Sequence, residues 1–264
     1  MFIDKQCSLM SSSAIAQPIF YVNYQLAAFQ MELFAQHNIQ ASSRILSSVK
    51  KRQAEYLAGR LCARSALEAI GIFDFSLLSA ADRAPIWPSN VTGSITHSGS
   101  HAAAWVCSTE HCLGLGVDIE KVIDSQRYDL TEQICSAEEI AYLHTQTESL
   151  GFDSLVTLVF SAKESLFKAL YPLVKQFFYF DAAHITSIDI SRQLIELRVV
   201  NDIGGGVCDT IDNRYKRKVG DKIDQASVGS HAGLEKVPAG SCFYCHYQAI
   251  GEDYFLTYCM VDSL

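Results

Sequence analysis

Nowhere in the 264 residues is there an uninterrupted apolar run of about 18, so no segment is expected to cross a membrane. The opening Met1-Phe-Ile-Asp-Lys places Asp4 where a secretory leader would be apolar, and no signal peptide is expected. Positive charge is scarce: 21 Lys and Arg face 29 Asp and Glu, a formal net charge of −8, which argues against a nucleic-acid partner. No internal repeat is visible, and Gly114-Leu-Gly-Val lacks the third glycine of a dinucleotide fingerprint. With 49% hydrophobic residues, the chain is expected to be a globular cytoplasmic protein of one large domain or two packed halves.

Nine cysteines, an odd number set among apolar neighbours, read as small buried hydrophobes of a reducing compartment. Cys242-Phe-Tyr-Cys245-His246 matches the letters of a c-type haem attachment pattern. It lies inside a strand-like run from Ser241 to Ile250, and core strand is preferred over haem or zinc.

Residues 1–18 read as an irregular start, followed by a strand at Ile19 to Leu26 and a helix from about Ser48 to Ile70. Strands are expected at Ser94 to His97, at Ala102 to Ser108 and through Asp118 and Glu120. Ser136-Ala-Glu-Glu139 predicts a capped helix start. A second helix is expected from about Ser154 to Leu170, broken at Tyr171-Pro172. Four more strands follow, at His184 to Ile190, Leu194 to Val200, Ser241 to Ile250 and Tyr254 to Val261. Residues 201–240, glycine-rich with a basic stretch at Arg214 to Lys218, are longer than a compact domain's usual connection and read as a flexible insertion.

Four stretches carry chemistry. On the second helix Glu164 and Lys168 stand four residues apart on one face, either a surface ion pair or an acid beside a base. Strand alternation sends Asp118 and Glu120 to one face, where two carboxylates repel unless a proton or a cation intervenes. Glu164 would complete an open oxygen-ligand set suited to magnesium; solvated carboxylates at a strand end are the plainer alternative. Ser94, Thr96 and His97 offer donors to an anion, and the first helix begins with Lys50, Lys51 and Arg52 and carries Arg60 and Arg64. Ser165-Leu-Phe-Lys168 fits the Ser-x-x-Lys of serine acylases, but their other motifs are missing.

In order, Arg52, Glu55, Tyr56, Ala58, Gly59 and Arg60, then Ala84-Pro-Ile-Trp-Pro88, Gly93-Ser-Ile-Thr-His97, Gly116-Val-Asp-Ile-Glu120 and Phe160-Ser-Ala-Lys-Glu-Ser165 with Lys168 form five blocks between Lys50 and Pro172. This arrangement resembles the 4′-phosphopantetheinyl transferases, in their two-subdomain, surfactin-type class and its enterobactin-synthase branch. The resemblance implies an α/β (α+β) fold of two similar subdomains related by a pseudo-twofold, with the active site in the cleft between them. The boundary is placed so that residues 1–112 supply the adenosine and phosphate side, and 113–264 the magnesium and catalytic residues.

The implied reaction moves 4′-phosphopantetheine from coenzyme A to a serine of an apo carrier protein, peptidyl, aryl or acyl, and releases 3′,5′-adenosine bisphosphate. Asp118, Glu120 and Glu164 match the family's Mg2+ ligands, and Asp118, Glu164 and Lys168 its catalytic group. Arg52, Arg60, Arg83, Thr96, His97, Lys163 and Lys168 match coenzyme A contacts. Either Glu164 or a metal-bound water would take the serine proton. Three departures stand out: Thr96 where the branch often has Ser, Ser79 and Ala80 where a basic residue often precedes Arg83, and the long 201–240 segment. The implied partner is a carrier domain of a non-ribosomal peptide, siderophore, polyketide or fatty-acid synthase, and the implied state is a monomer. The alternative is a module that binds coenzyme A or a carrier protein without catalysis.

Overall fold

The computed structural model describes residues 1–10, 17–80, 83–124, 128–205 and 236–262. Strands β1 (Ile3–Met10) and β2 (Pro18–Tyr24) are followed by the short helices α1 (Glu32–Gln36) and α2 (Ser43–Leu46), then by helix α3 (Lys50–Ala69). Strands β3 (Val91–Ser98) and β4 (His101–Ser108) close a four-stranded sheet of order β1-β2-β4-β3. The chain continues through β5 (Gly114–Lys121), α4 (Tyr128–Ile134), α5 (Ala137–Thr145) and α6 (Phe152–Val174), then β6 (Ala183–Asp189) and β7 (Leu194–Val199). A small pair, β8 (Ile203–Gly204) with β9 (Lys236–Val237), precedes β10 (Cys242–Ile250) and β11 (Tyr254–Val261). The second sheet has the order β5-β11-β10-β7-β6.

Alternation gives each sheet two apolar faces, and the packing uses both. Leu57, Ala58 and Cys62 of α3 cover Val22, Ala102 and Ala104 on one face of the first sheet. The opposite face, with Ala103, Trp105 and Cys107, meets Val117, Ile119, Leu256 and Tyr258 of the second sheet. Trp105 stands edge-on to Tyr258 with ring centroids 5.6 Å apart, a favoured aromatic geometry. On the far side of the second sheet α6 packs Leu158, Leu166 and Ala169 against Ile195, Leu197, Cys245 and Cys259. The layers therefore run helix, sheet, sheet, helix, and β5 lies buried between them.

Several expectations are corrected. Residues 3–10 form a strand that pairs antiparallel with β2; alternation of Ile3, Cys7 and Leu9 with polar residues marks it in the sequence. Pro172 does not break α6. It sits in the last turn, where one missing N–H removes one bond, and the helix ends at Lys175 in the left-handed region, φ 52°. The expected capping box is present: the Glu139 N–H donates to Ser136 Oγ and the Ser136 N–H to Glu139 Oε2. Of the expected insertion, residues 206–235 lie outside the described residues, but its ends are structured. Ile203 pairs with Val237, both buried, and Ala239 N–H donates to Asp202 at 2.8 Å. The haem-like motif is strand β10, in which Cys242 is exposed and Cys245 buried; three residues apart on a strand, they point to opposite faces. Among the described residues no helix is long and apolar enough to cross a membrane.

Candidate active site

The two sheets meet at β3 and β5 through side chains. Val117 N–H donates to Ser94 Oγ at 3.1 Å and Ile119 N–H to Thr96 Oγ1 at 3.3 Å, so hydroxyls of one sheet satisfy edge donors of the other. Ser98 continues the ladder by donating to Glu120 Oε2 at 2.9 Å.

On its other face β5 carries Gly114 and Gly116, and these let α6 come in against the strand. A Cβ at Gly116 would lie 1.7 Å from the Ser165 carbonyl oxygen, and one at Gly114 2.2 Å from that of Ala169. Close approach brings Ser161 and Lys168 onto Asp118, which is 2% exposed. Asp118 Oδ1 accepts from Lys168 Nζ at 2.7 Å and from Thr96 Oγ1 at 2.9 Å, while Oδ2 accepts from Ser161 Oγ at 2.8 Å. Glu164, 6% exposed, lies about 40° round the helix from Lys168 and, unlike Lys168, is not among the residues that line the adjacent cleft.

A cleft of about 620 Å³ opens beside this junction. Its walls include Arg44, Lys51, Arg52, Arg60, Arg83, His97, Glu55, Glu120 and Lys168. Arg52 and His97 Nε2 stand 2.5 Å apart, with Glu55 3.6 Å from Arg52 and 3.7 Å from His97 Nδ1. Arg60 is held rigidly: Nε donates to the Leu77 carbonyl at 3.0 Å, a terminal nitrogen to Ser79 Oγ at 2.7 Å, and the guanidinium lies 4.4 Å from the Tyr56 ring centre. Nearby, burial pushes the His101 imidazole below its ordinary pKa, so it resists protonation next to Tyr254.

The structure thus gathers Arg52, Arg60, Arg83, His97, Glu120 and Lys168 around one cleft, with Asp118 behind Lys168. It does not bring Lys163 there. The Lys163 ammonium donates to Glu139 at 2.8 Å and to the Ile134 carbonyl at 2.9 Å, because a step of about 100° per residue turns it away from the face of Glu164. Thr96 faces Asp118 and Ile119 and does not line the cleft. Arg64 donates to the His37 carbonyl.

Sequence reasoning missed Arg44 on the cleft wall and Ser98, Ser161 and Thr257 behind the acids, and took Lys51, also on the wall, only as part of a basic helix start. Ser161 and Ser165 were signalled by being polar in an apolar helix; Thr257, within an apolar strand, had no signal. Glu139 was legible only as a cap, yet its carboxylate also accepts from Lys163 and from Ile185 N–H at 2.8 Å, tying α5, α6 and β6 together.

With both side chains at most 3% exposed, Lys163→Met leaves the Glu139 carboxylate buried without its cation. A loss of about 3 kcal/mol is expected from urea denaturation. Among molecules that stay folded, the affinity for coenzyme A should be unchanged; a cofactor-contacting lysine gives the reverse pattern.

Among the described residues no three His, Cys, Asp or Glu side chains are gathered closely enough to hold a metal ion. Instead the Lys168 ammonium balances Asp118. The donor chemistry nevertheless fits a hard cation. Asp118 and Glu120 offer only oxygen from one face of β5, and the hydroxyls of Ser161 and Ser98 hold them in place.

Both halves of the chain are similar to known proteins. Residues 40–107 match the model of the 4′-phosphopantetheinyl transferase N-terminal domain, and residues 114–216 that of the 4′-phosphopantetheinyl transferase superfamily. Enterobactin synthase component D of Salmonella typhi is 34% identical over 192 residues, covering 71% of this chain and 79% of that protein. The 4′-phosphopantetheinyl transferases Npt of Nocardia iowensis and PptT of Mycobacterium tuberculosis are 33% and 32% identical over 142 residues; each alignment spans 54% of this chain, and 62% and 61% of those proteins. With both halves of the chain matched in order, and Asp118 of β5 packed against Lys168 of α6 beside a cationic cleft, the protein belongs to the 4′-phosphopantetheinyl transferase superfamily.

Proposed function

We propose that the protein transfers the 4′-phosphopantetheine group of coenzyme A to a serine hydroxyl of an apo carrier protein, with Mg2+ as cofactor. The observation that carries this reading is the charge of the cleft. In a chain of net charge −8, Arg44, Lys51, Arg52, Arg60, Arg83 and Lys168 converge on one cavity against Glu55 and Glu120. Such a surplus suits the phosphates of coenzyme A, with the guanidinium forks of Arg52 and Arg60 as phosphate clamps and His97 as a further donor.

Asp118, Glu120 and Glu164 would hold the metal, which when bound spreads the charge of the pyrophosphate. Either Glu164 or a water would take the proton of the carrier serine. The serine oxygen bonds to the phosphorus bearing pantetheine, the bond from that phosphorus to the bridging oxygen breaks, and this oxygen leaves with 3′,5′-adenosine bisphosphate. Lys168, on the cleft wall, donates to the leaving phosphate and stabilises its growing charge. In this reading residues 1–112 bind the adenosine end and residues 113–264 carry out the transfer; β4 ends at Ser108 and β5 starts at Gly114. The names of the Salmonella relatives favour a carrier domain of siderophore or other non-ribosomal peptide assembly over polyketide and fatty-acid carriers. In this reading the enzyme that modifies it is a cytoplasmic monomer.

Intact-protein mass spectrometry of an apo peptidyl carrier incubated with the protein, coenzyme A and magnesium tests the reading. A gain of about 340 Da that EDTA abolishes is expected from a metal-dependent transfer. Coenzyme A binding without any gain on peptidyl, aryl or acyl carriers would replace it with a non-catalytic binding module.

A further inference from the structure

Behind Asp118 lies a closed set of hydroxyls that the transfer reaction itself does not use. Thr257 of β11 is the direct cross-strand partner of Asp118 on β5, and neighbours in register point their side chains to the same face. That face meets α6, where Ser161 and Ser165, one turn apart, reach both strands. Ser161 Oγ stands 2.8 Å from Asp118 Oδ2 and 2.9 Å from Thr257 Oγ1; Ser165 Oγ stands 2.8 Å from Thr257 Oγ1 and 3.1 Å from the Thr257 carbonyl. Ser161, Ser165 and Thr257 are all 0% exposed, so water cannot replace any partner.

Each hydroxyl has one proton, and this fixes the direction of the chain. The carboxylate can only accept, so Ser161 spends its proton on Asp118. Ser161 Oγ must then accept from Thr257, and Thr257 Oγ1 in turn accepts from Ser165, whose proton is shared with the Thr257 carbonyl. Every link is polarised toward the carboxylate, and aligned hydrogen bonds of this kind strengthen one another in a dry site. On the opposite oxygen Lys168 and Thr96 pull toward the cleft.

We infer that Thr257, together with Ser161, is a positioning residue for Asp118: the chain from β11 through α6 sets the angle at which the carboxylate meets the cleft. The inference rests on the reading of this cleft as the transfer site. It assigns a role to a residue 139 positions from Asp118 and outside both matched regions.

Thr257→Val keeps the shape and removes the hydroxyl; Thr257→Ser restores the hydroxyl with less bulk. For the valine variant, kcat is expected to fall about tenfold, the usual scale for partners of a ligand or catalytic group, with the KM for coenzyme A within about twofold of wild type. Mn2+ affinity, measured by calorimetry on the coenzyme A complex, should fall about as much, and Thr257→Ser should recover both. A valine variant that folds with wild-type kcat and Mn2+ affinity overturns the inference, as does a serine variant that recovers neither. If the valine variant does not fold, Ser165→Ala removes the same chain one link further back: a lowered kcat at unchanged KM supports the chain, and wild-type values refute it. Absence of transfer by the wild-type protein refutes the reading of the site instead, so the two failures are distinguishable.

Discussion

A protein carrying Gly116→Ala should melt roughly 10 °C below wild type and lose most of its transfer activity, since in a chain of this size each kcal/mol moves the melting point by about 2–4 °C. The added Cβ would stand 1.7 Å from the Ser165 carbonyl oxygen, 2.7 Å from its carbon and 3.0 Å from Ala169 N. All three are backbone atoms in the middle of α6, so no side chain can swing aside. Overpacking against flexible neighbours costs about 1–3 kcal/mol; a clash of backbone with backbone belongs at the top of that range or above it. The helix cannot retreat cheaply, because lifting it off the sheet would uncover Ile195, Leu197 and Cys245, against which it packs. Any retreat would also lift Ser161 and Lys168 off Asp118. Gly251→Ala is the control: φ there is 66°, but nothing lies within 4 Å of the added carbon, and only about 1 kcal/mol of backbone strain is expected. Differential scanning calorimetry of the two variants checks the contrast, and a Gly116→Ala protein that melts with the wild type would show that the contact of α6 with β5 is not tight.

The same contact explains why the acids were legible in the sequence and their supports were not. Period-two alternation is local, so Gly116-Val-Asp-Ile-Glu120 shows two carboxylates on one face without knowledge of any partner. Helical spacing likewise set Glu164 and Lys168 on one face of α6. What spacing could not tell is which neighbour each group meets. Lys163, adjacent to Glu164 in sequence, meets Glu139 on the far side of the helix. Thr96, one residue before His97, meets Asp118 while His97 meets Arg52. In both cases a one-residue step changes the face, and the partner arrives from an element 22 to 45 residues away. Strand β1 was missed for a related reason: its weak alternation becomes a strand only because β2 offers an edge to pair with.

Asp118→Asn should reduce transfer by at least about 10²–10³-fold, the scale on which a single electrostatic contact to a reacting phosphate or acyl group acts, and should also destabilise the fold by about 3 kcal/mol. The two effects have separate origins. An amide has one oxygen in place of two, so it can accept from Lys168 and Thr96 only by turning its NH2 to Ser161. Ser161 can then accept and pass its own proton to Thr257, which reverses the hydroxyl chain at little cost. The lost charge has no such remedy: the Lys168 side chain is 7% exposed, and its buried ammonium loses the carboxylate 2.7 Å away. Adding Lys168→Met removes that buried cation, so the double variant should recover most of the stability, measured by urea denaturation. Loss of transfer in the folded Asp118→Asn protein, which keeps Lys168, assigns Asp118 a chemical role beyond its ion pair. Transfer within tenfold of wild type in the folded Asp118→Asn protein would reduce the residue to a structural partner of Lys168 and leave the acid chemistry to Glu120 and Glu164.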